Sequence, residues 1–244
     1  GTKYRGEFEA RVKKILEELK SAYPRAKIVL RYKTPWELLV SVILSAQCTD
    51  VVVNRVTEKL FAKYKALDDY VNADHSEFEQ DIKSTGFYHN KAKNILAAAR
   101  LVKEKFGGKV PATMEEILTI PGVARKTANV VLGNAYGVVE GIAVDTHVLR
   151  LSQRLRLVDL EKIGGKKEVT VQRSMTGSRP VNVLDYKKDA DPVKIEQQLM
   201  SVVPKKDWFK TTYVLIDHGR AVCKAQKPDC GHCVVARLCP ASRT

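Results

Sequence analysis

Cysteine is nearly absent from most of this chain: ahead of Cys223 there is one, Cys48. Disulfide stapling of the main body is therefore excluded, and 244 residues are enough to build a hydrophobic core without it. No apolar run approaches the roughly 20 residues that span a bilayer. The longest, Leu38 to Ala46, is broken by Ser41 and Ser45. The opening GTKYRGEFEARVKK has neither an apolar signal core nor an initiator Met. No internal repeat is visible. Acidic residues are also in the minority: 28 Asp+Glu face 42 Lys+Arg, a net charge of +14. That balance calls for a polyanionic partner, nucleic acid first and an anionic membrane surface second. The second lacks the amphipathic basic helix it would need. With 44% apolar residues, global disorder is excluded. The expectation is a soluble intracellular protein of one large or two small domains.

What is present begins with the C-terminal cysteines, spaced Cys223-x6-Cys230-x2-Cys233-x5-Cys239. A disulfide knot fits poorly beside a large cysteine-poor globule. Structural zinc usually takes two Cys-x2-Cys knuckles, and here there is one. A tight loop of single thiolates suits an iron–sulfur cluster with one cysteine per iron. Spacing alone favours the cluster and leaves zinc and disulfides open. Cys48, within an apolar helical pattern, reads as a small buried hydrophobe.

The rest reads almost wholly as helix. Phe8, Val12, Ile15, Leu16 and Leu19 form a stripe at helical spacing. Thr34-Pro35-Trp36-Glu37 and Thr113-x-x-Glu116 have the form of capping boxes. Further helices are expected over 51–64, 76–85, 90–106, 125–136, 146–155, 192–202 and 207–222. One segment departs from this. Between Ile163 and Tyr186, Val169/Val171 and Val181/Val183 alternate with polar residues around Thr176-Gly177-Ser178, as in a β-hairpin with a loose turn. A basic disordered loop is the alternative.

The strongest nucleic-acid signal is Ile120-Pro121-Gly122-Val123-Ala124, a tight turn ahead of a helix N-terminus. Outward backbone N–H groups there make an anion site for a phosphate. Many Pro-Gly turns between helices are only turns, but Lys126 follows in the first helical turn, where the helix dipole disfavours a cation. That field and a desolvating cleft both lower an amine's pKa, and a neutral amine is a Schiff-base nucleophile. Asp145, in Ala143-Val144-Asp145-Thr146-His147, is a candidate carboxylate partner or simply a helix N-cap. His147 reads as a helix-surface or packing residue.

These residues resemble the endonuclease III family of DNA glycosylases. Ile120 to Val131 is similar to its helix-hairpin-helix, and Val144-Asp145-Thr146-His147-Val148 to its catalytic aspartate segment. Leu44 to Asp50 and Gly86 to Ala92 resemble its two DNA-probing loops, and the cysteine spacing resembles its 4Fe–4S loop. The likeness runs from about residue 8 to 240.

The resemblance implies an all-α fold of two helical domains flanking a DNA-binding cleft. Residues 28–139 would be a six-helix bundle, and 1–27 with 140–244 a cluster domain carrying an atypical insertion at about 160–190. It implies a 4Fe–4S cluster on Cys223, Cys230, Cys233 and Cys239, with Lys126 and Asp145 as the catalytic pair. Double-stranded DNA with a damaged base or abasic site would be the partner, contacted by Gln47, Phe87, Gly122, Ala124, Thr127, Lys224 and Lys227, with Arg237 beside them. Gln47 and Phe87 have plainer readings, as a helix-end polar residue and a core aromatic. The lysines have one too, as a solvated surface. The implied activity is base excision of oxidised pyrimidines followed by β-elimination, by a monomer in the cytoplasm, nucleoid-associated if prokaryotic. Two rivals remain. Adenine mismatch glycosylases lack the lysine and extend past the cluster, whereas this chain ends at Thr244 soon after Cys239. A non-catalytic iron–sulfur DNA-binding module would not need Lys126 and Asp145. Two departures from the family pattern stand out. Ala124 replaces the usual glycine and is expected to be strained or crowding there, the alternative being a relaxed negative φ with a hairpin of slightly different shape. The insertion lies outside every motif and is expected to be exposed and dispensable.

Overall fold

The computed structural model describes residues 2–173 and 179–244, so Thr176-Gly177-Ser178 lies outside the described residues. The chain forms two compact units, Ile28–Glu140 and Gly1–Lys27 with Gly141–Thr244.

The first unit contains α2 (Pro35–Leu44), α3 (Asp50–Lys63), α4 (Leu67–Val71), α5 (His75–Ile82), α6 (Tyr88–Lys105), α7 (Met114–Ile117) and α8 (Arg125–Tyr136). Thr34 caps α2 by accepting from the Glu37 N–H, with Pro35 opening the helix. The box is closed differently from the sequence reading: the Glu37 carboxylate reaches back to the Lys33 N–H, not to that of Thr34. Thr113 caps α7 in the same way, but the Glu116 carboxylate accepts from the Thr113 hydroxyl. Leu38, Leu39, Leu44, Leu60, Phe78, Ile82, Ile95 and Ile117 make the core, each fully buried or nearly so. α4, which periodicity did not indicate, is held by Tyr70. Its ring meets Trp36, Tyr64 and Phe78 at centroid distances of 5.2, 5.2 and 5.9 Å. Such aromatic pairs contribute about 0.5–1.5 kcal/mol beyond area burial. Cys48 corrects an expectation: α2 ends before it, and it sits half-buried in the following turn.

The second unit contains α1 (Thr2–Ala22), α9 (Thr146–Arg154), β1 (Glu168–Arg173), β2 (Val181–Lys187), α10 (Pro192–Val202) and α11 (Trp208–Ala221). The α1 stripe buries Val12, Ile15, Leu16 and Leu19, while Phe8 stays half-buried. α1 is fastened to the later segment by Arg11, which donates to the Leu155 and Arg156 carbonyls, and by a Lys20–Asp207 ion pair. α9 and α11 pack closely at Gly219, where a Cβ would come within 2.7 Å of the His147 Nδ1.

β1 and β2 form the antiparallel hairpin that the alternation indicated, but it is not exposed throughout: the later part of β2 is buried. A bulge between Val169 and Thr170 shifts the register, so that Val169 faces Tyr186 and Thr170 faces Leu184. Asp185 is the extra residue, and the bulge lets Asp185 and Tyr186 both turn inward despite being consecutive. Asp185 meets Arg154 of α9 at 2.9 Å, with 1% and 3% of their side chains exposed. Arg156 donates to the Leu184 and Asp185 carbonyls. Among the described residues, no helix is long and apolar enough to cross a membrane.

Candidate DNA-repair site and cluster loop

The turn before α8 has the geometry of an anion site. Gly122 takes a φ of +81°, and a Cβ there would come within 2.9 Å of the Asn94 Cβ, so only glycine fits. Ala124, the α8 N-cap, offers no side-chain cap, and the first turn of α8 contains no acidic residue. The backbone donors at the helix start are therefore presented without a built-in anion. Gly122 and Ala124 are exposed, while Lys126 and Thr127 are half-buried on the same turn. Ala124 corrects an expectation: its φ is −94°, extended backbone that any residue adopts, so alanine carries no left-handed strain.

Asp145 is the N-cap of α9. Its Oδ1 accepts from the Val148 N–H at 2.8 Å, and the side chain is half-buried. The capping bond fixes the carboxylate's orientation, so the N-cap and catalytic readings are compatible. Lys126 belongs to the unit Ile28–Glu140 and Asp145 to the other unit.

Gln47 and Phe87 share a backbone peculiarity. Their φ values are +52° and +48°, and among the described residues the one other non-glycine with positive φ is Arg156. A left-handed non-glycine residue costs roughly 1–2 kcal/mol and persists only where its surroundings impose it. Phe87 is 65% exposed, which removes the core-aromatic reading, and Gln47 is exposed too. Periodicity did not single out Lys91. It is buried and donates to the Leu44 and Thr85 carbonyls at 2.9 Å each.

The structure brings Cys223, Cys230, Cys233 and Cys239 around one cavity. Leu155, Val222, Ala236 and Ala241 add apolar walls. Among the described residues, no three His, Cys, Asp or Glu side chains converge on a point as a single ion would require. Sulfurs arrayed around a cavity instead fit a 4Fe–4S cluster, with one thiolate per iron. Burial raises the Cys233 thiol and pushes that of Cys239 up to about 11, so iron binding at these two sulfurs must displace their protons. Around them stand groups the sequence did not reveal. Arg154 donates to the Lys224 and Ala225 carbonyls at 2.7 Å each and reaches the Cys223 Sγ at 3.4 Å. His218 lies 3.3 Å from the Cys233 Sγ through Nε2 and 2.8 Å from the Tyr23 hydroxyl through Nδ1. A thiolate can only accept, so Nε2 would donate to it and Nδ1 accept from Tyr23. Lys224, Lys227 and Arg237 are exposed on or beside the loop.

A family model described as HhH-GPD superfamily base excision DNA repair protein matches residues 40–175. A second, the iron–sulfur binding domain of endonuclease III, matches residues 223–239. Fold and site together define a helix-hairpin-helix DNA-repair protein with an iron–sulfur loop. Endonuclease III of Synechocystis sp. is 47% identical over 233 residues, covering 96% of this chain and 93% of that protein. Endonuclease III of Bacillus subtilis is 42% identical, covering 92% and 89%. The structure of a trapped endonuclease III–DNA covalent intermediate matches with a TM-score of 0.81 at 38% identity, covering 96% of this chain and 97% of that one. The chain belongs to the endonuclease III family, and its cofactor is a 4Fe–4S cluster.

Proposed function

We propose that this protein excises oxidised pyrimidines such as thymine glycol from duplex DNA and then nicks the resulting abasic site. The start of α8 carries the reading: Lys126 is half-buried in a first turn with no side-chain cap and no acidic residue, directly after the Gly122 turn. A phosphate bound at that turn holds the damaged strand, and the damaged nucleotide is flipped out of the stack. Gln47 fills the vacated space and Phe87 wedges the opposite side; their exposure and left-handed backbone support these roles. The Lys126 amine attacks C1′ of the deoxyribose and the C1′–base bond breaks, its electrons leaving with the base. Asp145, held by its cap to Val148, accepts the amine proton or stabilises the positive charge on the sugar. The nitrogen lone pair then opens the sugar ring: the C1′–O4′ bond breaks, O4′ takes a proton, and the resulting protonated imine acidifies the C2′ proton, whose loss expels the 3′ phosphate.

The cluster, held by Cys223, Cys230, Cys233 and Cys239, supplies a fixed loop rather than a reaction step. That loop turns Lys224, Lys227 and Arg237 toward phosphates. The protein acts as a monomer in the cytoplasm, associated with the nucleoid if its source is prokaryotic.

Borohydride reduction on abasic-site duplex tests the assignment. Wild type should form a covalent protein–DNA adduct and Lys126→Ala none. An adduct at the wild-type rate from Lys126→Ala would overturn it.

A further inference from the structure

A lysine side chain is seldom buried unless its charge is matched. Lys91, in the first turn of α6, is 5% exposed, and its ammonium donates to two backbone carbonyls, those of Leu44 and Thr85, at 2.9 Å each. Leu44 is the last residue of α2, and Thr85 the last of the 3-10 turn Lys83–Thr85. Carbonyls at such ends lack helical partners and attract a cation. One ammonium thus caps two helical ends from separate stretches of chain.

Both ends lead directly into the exposed tips. Gln47 follows Leu44 after two residues, Phe87 follows Thr85 after one, and both tips hold positive φ. Nothing else described ties the two carbonyls to a common atom. The tips project outward while the bonds that set their roots lie inside.

We propose that Lys91 is a positioning residue that holds Gln47 and Phe87 at the spacing needed to keep a nucleotide extruded. The inference rests on the reading above that these two side chains probe the duplex. It predicts a selective defect. Releasing a damaged base from a paired duplex requires unstacking it, whereas an abasic site has no base left to extrude.

The test uses cluster-loaded Lys91→Met, which fills similar space and donates nothing, under single-turnover conditions. One duplex carries thymine glycol and the other a preformed abasic site. The rate of base release should fall about tenfold more than the rate of β-elimination, because only the former must also unstack a base. 2-Aminopurine opposite the lesion should also brighten less on binding the variant than on binding wild type. In a Gln47→Ala background most of the Lys91→Met effect should vanish, as expected of residues acting as one unit. Equal losses on both duplexes, or full additivity with Gln47→Ala, would overturn the proposal. If Lys91→Met loses its cluster colour, Lys91→Gln, which keeps an amide donor, is held to the same criteria. A wild type that releases no base would remove the glycosylase reading and this inference with it.

Discussion

Asp185 of the hairpin and Arg154 of α9 form an ion pair at 2.9 Å, and the same guanidinium donates to two carbonyls of the cluster loop. Both side chains are almost fully buried. The hairpin is thus connected to the cluster loop through one arginine. Removing one partner of such a pair leaves an uncompensated buried charge, worth about 3–5 kcal/mol. Asp185→Ala is expected to lower the denaturant midpoint by that order and to speed loss of the cluster's visible absorbance. Asp185→Leu with Arg154→Met also removes the bonds to the Lys224 and Ala225 carbonyls, so it should lose the cluster's absorbance faster than Asp185→Ala. Wild-type stability in Asp185→Ala would mean the pair does not hold the hairpin.

Asp145 separates capping from chemistry. Asparagine caps a helix about as well as aspartate, whereas alanine costs about 0.5–2 kcal/mol. Asp145→Asn should therefore melt close to wild type yet release base far more slowly, and Asp145→Ala should show both defects. Thermal melts beside single-turnover rates decide the matter, and an Asn variant with undiminished base release would exclude the carboxylate.

The hairpin turn gives opposite expectations at two neighbouring positions. With φ at −94°, Ala124 gains nothing from glycine's freedom, and Ala124→Gly should lower stability by roughly 0.4–1 kcal/mol through the unfolded chain. Its affinity for an abasic-site analogue should barely change. Gly122→Ala must adopt a φ of +81° and press on Asn94, so it should lose both stability and DNA affinity. Tighter binding by Ala124→Gly would show that the methyl group crowds the phosphate.

Charge should appear as salt dependence. Each phosphate neutralised contributes a slope of about −0.9 in log K against log salt. Lys224→Ala and Lys227→Ala should each flatten that slope by about one contact while leaving the rate on saturated DNA intact. An unaltered slope would return both lysines to the solvated surface.

The sequence made legible what depends on neighbouring residues. Helices α8 and α10 begin and end as their spacing and flanking residues indicate, and Thr34 and Thr113 cap as read. The cysteine spacing marked the loop because all four cysteines lie in one short stretch. What escaped depends on distant partners. α4 is a single turn whose place is set by Tyr70 among rings from other segments. The burial of Asp185 follows from a bulge that strict alternation does not contain. Lys91 lies in the polar run HNKAKN, and nothing local distinguishes it from an exposed lysine. Ala124 was read as strained because glycine is usual there, yet the positive φ belongs to Gly122.

The interleaving of the two units has a consequence for synthesis on the ribosome. Ile28–Glu140 leaves the tunnel as an unbroken stretch and can close its core while translation continues. α1 emerges earlier but cannot do the same, because Arg11, Lys20 and Tyr23 find their partners at Leu155, Asp207 and His218. At about 5–20 residues per second, the stretch from Gly141 to the end takes several seconds or more. Through that interval Val12, Ile15, Leu16 and Leu19 form an unsheltered apolar stripe on the nascent chain, the face most in need of a chaperone.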